Sequence, residues 1–187
     1  MPIYKGPEQK VLLDTKVNEL VAELKKAGVR VKYDDNDNNR PGWKFAEYEM
    51  KGVPVRIAFG ARDLENNVAE LARRDTKEKK SVSLDGLSNT IIQMLEDIQQ
   101  AMFDKAKAYR DAHIISVDNL ADFEKALDGE GGFISAHWDG TAETEEAIKQ
   151  QTKATIRCIP LNNPQEEGKC ILTGKPSKER VLFARAY

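Results

Sequence analysis

The chain has 187 residues, 40% of them apolar and 32% charged, which suits one large or two small packed cores and argues against wholesale disorder. Its 29 Lys and Arg against 31 Asp and Glu leave a net charge of −2. That balance excludes a protein that coats polyanions by bulk charge, but not one that reads RNA through a local patch. The two cysteines, Cys158 and Cys170, can neither build a disulfide framework nor by themselves close a four-ligand zinc site. No apolar run nears the roughly 20 residues of a membrane span, and the start lacks the apolar core of a secretory signal, so a soluble, reducing compartment is expected.

Residues 8–28 predict a helix, with Leu13, Val17, Leu20, Val21, Leu24 and Ala27 at three- and four-residue steps, and Gly28 as a left-handed cap. Val29 to Tyr33 alternates as a strand, and the Asp- and Asn-only run 34–39 reads as a polar loop. Gly42 to Lys51 has helical spacing, with Trp43 expected in the core. Val53 to Phe59 alternates as a strand, and 67–73 and 79–84 predict two more. A long helix follows from about Asp85 to His113, with Ser83 as its cap and Leu84, Leu87, Ile91, Leu95, Ile98 and Met102 as its buried stripe. Beyond it, Asp118 is expected to cap a short helix over 119–127, and Gly129 to Gly132 to form a turn. Strands are expected at Phe133–Trp138, Ala154–Ile159, Cys170–Leu172 and Arg180–Ala186, with a helix at 142–151. The pattern is α/β throughout, in two units: 1–112, closed by the long helix at about 85–112, and a smaller one at 113–187.

The charge is unevenly spread. Residues 1–80 carry 17 basic and 14 acidic side chains and the remainder 12 and 17, so a polyanion is better placed on the first unit. The stretch 42–64 concentrates the chemistry. Phe45 and Glu49 are four apart and share a helix face, Arg56 points away from Val55 and Ile57 on the next strand, and Arg62 and Asp63 fall in the loop after it. An aromatic plane, carboxylates and guanidiniums are what an unstacked guanine can use. The ring stacks the base, the acid accepts from N1–H and the exocyclic amine, and Arg donates to O6 and N7. The competing account is an ordinary core aromatic beside a surface Glu–Arg pair.

The run Arg40-Pro-Gly-Trp-Lys-Phe-Ala-Glu-Tyr-Glu-Met-Lys-Gly-Val-Pro-Val-Arg56, followed by Gly60-Ala-Arg-Asp-Leu-Glu65, resembles the anticodon-binding domain of the prolyl-tRNA synthetases. The nearer likeness is to their archaeal/eukaryotic-like subtype. Thr155-Ile-Arg-Cys-Ile-Pro160, Gly168-Lys-Cys170 and Val181-Leu-Phe-Ala-Arg-Ala-Tyr187 resemble that subtype's C-terminal domain and its terminal tyrosine. The resemblance implies a mixed five-stranded sheet flanked by helices, followed by a smaller α/β domain. It also implies that Phe45, Glu49, Arg56, Arg62 and Asp63 read the two guanines of the proline anticodon. The family's enzyme joins proline to tRNA(Pro) with ATP and magnesium, is cytoplasmic, and dimerises through its catalytic domain. That domain is expected to be missing here, since no Gly-rich run ending in Arg is present. This stretch should therefore carry no catalytic residue and no cofactor, and should work beside the catalytic domain of the same enzyme, with no membrane or DNA partner.

Many relatives hold zinc in the last domain through four cysteines spaced C-x4-C and C-x2-C. The matching positions here are Asp139, Thr144, Cys170 and Thr173, a donor set that suits zinc poorly, so no zinc is expected. His137 is read as structural and Cys158 as a small buried hydrophobe. The alternative from another class is a stand-alone anticodon-domain homologue acting as an RNA-binding or regulatory module. A small-molecule-binding domain is disfavoured because Gly129-Glu-Gly-Gly132 follows a helix rather than a strand.

Overall fold

A computed structural model describes residues 1–186. The chain forms two compact units, Met1–Phe103 and Asp104–Tyr187. The division falls inside the long helix, which thus supplies residues to both.

The first unit runs β1 (Pro2–Ile3), α1 (Pro7–Lys26), α2 (Pro41–Met50), β2 (Val55–Gly60), α3 (Ala61–Glu65), β3 (Val68–Arg73), β4 (Lys79–Ser83) and α4 (Leu87–Ala112). Its sheet has the order β1-β2-β3-β4, with β1 parallel to β2 and the other pairs antiparallel. Leu13, Val17 and Leu24 of α1 and Leu87, Ile91, Met94 and Ile98 of α4 pack with Phe59, Ala69 and Leu71 of the sheet. Helical spacing had placed six of these seven helix residues. Met102, assigned to the same stripe, is instead 55% exposed, and Ser83 Oγ accepts from the Asp85 N–H, short of the helix start.

The sheet has four paired strands among the described residues, not five. Val29 to Tyr33 is extended, and its alternation does bury Val29, Val31 and Tyr33 partly against the core. It pairs with no strand, and it borders with β2 a cavity of about 700 Å³. Gly28 takes φ +82° and turns the chain out of α1, a conformation that suits a residue without Cβ.

The second unit runs β5 (Ile114–Ser116), α5 (Leu120–Asp128), β6 (Phe133–His137), α6 (Ala142–Thr152), β7 (Ala154–Cys158), β8 (Gly168–Lys169), β9 (Pro176–Ser177) and β10 (Arg180–Arg185). The main sheet has the order β5-β6-β10-β7, and β8 and β9 form a separate small ladder. Phe123 and Phe183 meet edge to face at 5.2 Å in a core with Ile134, Ile148 and Val181. Gly132, at φ +105°, lies so close to the His113 carbonyl that any Cβ there would clash.

Four expectations are corrected here. Asn119, not Asp118, caps α5 by accepting from the Asp122 N–H, while Asp118 pairs with Arg180. Cys170 to Leu172 forms a turn rather than a strand, because the pairing shifts to its flanks. Cys158 is exposed near the end of β7, and Cys170 is the buried cysteine. The short strand β5 lies just past the expected helix end at His113, where the spacing predicts no element. Tyr187 lies outside the described residues.

Candidate nucleic-acid interface

Helix α2 begins with Pro41 at its first turn, where the missing N–H costs nothing. Its three faces do different work. Lys44 and Tyr48 point inward to Asp34: Lys44 Nζ lies 2.9 Å from Asp34 Oδ1, and the Tyr48 hydroxyl donates to Oδ2 at 2.9 Å. The Asn36 N–H adds a third bond to Oδ1. Burial pushes the Asp34 carboxyl up, but these three donors together outweigh it and hold it below the ordinary carboxylate range. Trp43, expected in the core, is 53% exposed, because the inward face of α2 belongs to this polar knot instead.

The second face of α2 carries Phe45 and Glu49. Across from it, Arg56 on β2 lays its guanidinium over the Phe45 ring, with Cζ 3.5 Å from the ring centroid, and reaches Glu70 Oε1 at 3.5 Å. Burial lowers the Arg56 pKa, an effect that Glu70 opposes, yet an arginine so placed keeps its charge. Phe45, Glu49 and Arg56 together line an open cavity of about 210 Å³, with Tyr48 and Ala72 among its other walls. Phe45 is half-buried rather than sealed in the core. The arrangement offers a ring, a fixed cation and a carboxylate to one planar guest.

Two predicted residues are not in this group. Arg62 and Asp63 sit on the short helix α3 rather than in a loop, past the far end of β2 from Arg56, and neither lines the cavity. Asp63 Oδ2 accepts from the Gly60 N–H at 2.9 Å and so caps its own helix, while the Arg62 side chain is exposed.

Four cations of the β3–β4 hairpin, Arg73, Arg74, Lys77 and Lys79, also border the cavity, although they lie outside the stretch 42–64 that carries the sequence signal. Strand register makes the connection, since Arg56 pairs with Ala72 and Ala72 with Lys79, which puts all three in one row on one face. Arg73 is tied to Asp75 by two bonds of 3.1 and 2.6 Å. Arg74 Nε donates to the Glu49 carbonyl at 2.8 Å, and Lys77 forms an ion pair with the Glu49 carboxylate.

In the second unit, three of the four positions matched to zinc ligands do converge, as a hydrogen-bonded hub. Asp139 Oδ1 accepts from the Thr141 hydroxyl (2.8 Å) and N–H (3.2 Å), and Oδ2 accepts from the hydroxyls of Thr144 and Thr173, both at 2.9 Å. Burial raises the Asp139 pKa, but these donors hold it below the usual value. One carboxylate and two hydroxyls are the wrong donors for tetrahedral zinc, and Cys170 is the single thiol of the set. Among the described residues, no three His, Cys, Asp or Glu side chains gather where they could hold a metal ion. His137 is buried, and its Nδ1–H donates to Ser177 Oγ at 3.1 Å, since the serine proton goes to the Glu179 carbonyl. No helix among the described residues is long and apolar enough to cross a membrane.

Comparison with known proteins agrees with this division. Residues 2–94 match the family model described as anticodon binding domain, and residues 120–187 match the one described as prolyl-tRNA synthetase, C-terminal. The whole chain is 58% identical to a proline–tRNA ligase of Porphyromonas gingivalis, 57% to that of Parabacteroides distasonis and 56% to that of Bacteroides fragilis. It spans 38% of the length of each of these relatives. An anticodon-binding domain followed by the synthetase-specific C-terminal domain, in that order and along the full chain, makes this protein a member of the prolyl-tRNA synthetase family, corresponding to its C-terminal portion.

Proposed function

We propose that this chain is the tRNA(Pro)-reading part of a proline–tRNA ligase, and that Phe45, Glu49 and Arg56 recognise an anticodon guanine. The observation that carries the reading is the meeting of these three side chains in one open cavity on a domain of the anticodon-binding family. Arg56 already covers one face of the Phe45 ring. A base can stack on the ring's other face, and Glu49 then accepts from the guanine N1–H and amine. Adenine offers no such donor pair, so the carboxylate supplies the discrimination.

Arg62 and Asp63 are assigned to a second contact at the other end of β2, where Asp63 must release the Gly60 N–H before it can accept from a base. The parent enzyme joins proline to tRNA with ATP and magnesium held by its catalytic domain, works as a homodimer in the cytoplasm, and uses this portion to select its tRNA. We assign no cofactor to this portion, and the Asp139 hub closes its loop without zinc.

The test is direct binding of the protein to tRNA(Pro) transcripts whose two anticodon guanines are kept or replaced by adenine. The reading expects the adenine transcript to bind about tenfold or more weakly, from roughly 1–3 kcal/mol per well-read base. Equal binding removes it.

A further inference from the structure

The β3–β4 hairpin borders the cavity with cations that the base-reading chemistry does not use. Lys79 shares the sheet face of Arg56, with only the methyl of Ala72 between them, so two positive groups flank the cavity floor. Among the described residues, Lys79 has no acidic partner. Among the described residues, the Arg74 guanidinium has no acidic partner and donates to the uncharged Glu49 carbonyl oxygen. Lys77 stands at φ +63°, a left-handed turn position that swings its side chain back over α2 to Glu49. Both members of that pair are well exposed, at 64% and 46%, so water screens it and exchange is cheap.

A flipped base does not arrive alone. Its own phosphate and the next one must pass over the cavity rim, and this hairpin is the positively charged rim. We propose that the β3–β4 hairpin holds the RNA backbone at this site. Lys79 and Arg74 contact the phosphates beside the bound base, and Lys77 leaves Glu49 for phosphate as the base takes its place. In the free protein Lys77 thus occupies the carboxylate that reads guanine, and backbone contact and base reading are coupled through one side chain. This rests on the anticodon-reading function proposed above, but it assigns a different job to different residues: the hairpin sets affinity without regard to sequence, while Glu49 sets discrimination.

The two jobs separate by salt dependence. The 187-residue protein, Lys79→Ala, Lys77→Ala and Lys79→Arg are titrated with the guanine and adenine transcripts of tRNA(Pro) at several salt concentrations. Lys79→Ala is expected to lower affinity about three- to tenfold for both transcripts alike, and to reduce the slope of log affinity against log salt by about 0.7 for the lost single-strand contact. Lys79→Arg retains the slope. Lys77→Ala loses the same slope but less affinity, because Glu49 no longer has to be released, and its preference for guanine is kept or increased. Both lysines are exposed, so far-ultraviolet circular dichroism of the variants should match the parent. Unchanged slopes in both alanine variants overturn the hairpin proposal even if the parent still prefers guanine. A loss confined to the guanine transcript also overturns it, by making Lys79 a base reader. Equal binding of both transcripts by the parent, with slopes still reduced in the variants, supports the hairpin and removes only the base-reading function.

Discussion

The two units each build a site around a carboxylate and treat it in opposite ways. In the second unit Asp139 receives four hydrogen bonds from Thr141, Thr144 and Thr173, so its oxygens are saturated by neighbours that the backbone holds in place. In the first unit Glu49 is held by one long, exposed lysine that can leave. Saturation fixes a loop, whereas a single screened partner leaves the acid open to exchange. The contrast teaches that acidity and proximity alone do not mark a recognition site. What marks it is a carboxylate whose present partner costs little to displace, beside a ring and a cation that stay put. Asp34, three-fold bonded and buried behind α2, belongs with Asp139 although it lies in the same unit as Glu49.

The largest effect should come from breaking the buried ion pair behind α2. Asp34→Ala leaves the Lys44 ammonium buried without its counter-charge and should cost about 3–5 kcal/mol in chemical denaturation, with α2 the first element to loosen. Asp139→Ala removes the centre of the hub and should cost about 2–3 kcal/mol, read as a lowered melting temperature that added zinc does not restore. If zinc raised that temperature in the parent protein, the saturated hub would be the wrong description. Gly168→Ala drives a methyl group into the His137 imidazole, at the ring nitrogen that faces Glu166, and should cost about 1–3 kcal/mol by overpacking.

The pH dependence follows from the same contrast. Asp34 and Asp139 are both held below their unfolded values, so the folded state takes up protons later than the unfolded chain as pH falls. Their contribution to stability is complete above about pH 4 and is lost as pH drops through the depressed folded values. Asp139→Asn should flatten the acid limb of a stability–pH curve. The smallest effect on folding is expected for Glu49→Ala, under about 1 kcal/mol, since the Lys77 pair is exposed. Its effect belongs to binding instead.

Much of the frame was legible in the order of residues. Spacing placed α1, α2, α4 and strands β2 to β4, and hence put Phe45 and Glu49 on one face with Arg56 opposite. What spacing could not see was tertiary. Trp43 has the size of a core residue, but α2 turns Lys44 and Tyr48 inward because Asp34, in a run that composition marks as loop, waits there to bind them. Val29 to Tyr33 alternates like a strand and buries like one, yet it joins no ladder, and pairing depends on a neighbouring backbone that alternation cannot reveal. Arg62 and Asp63 were grouped with Phe45 by sequence proximity. The six-residue length of β2 carries them away, and a helical turn too short to show periodicity engages Asp63 as its cap. The hairpin cations were invisible for the converse reason, being distant in sequence and adjacent only through strand register.

The central claim is that an exchangeable carboxylate on α2 tells guanine from adenine. The most direct measurement is the ratio of affinities for the guanine and adenine transcripts of tRNA(Pro), taken side by side for the parent protein and for Glu49→Ala. The account predicts a ratio of about ten or more in the parent, collapsing toward one in the variant while the fold is retained. A ratio near one in the parent, or one that survives the loss of Glu49 intact, would contradict it.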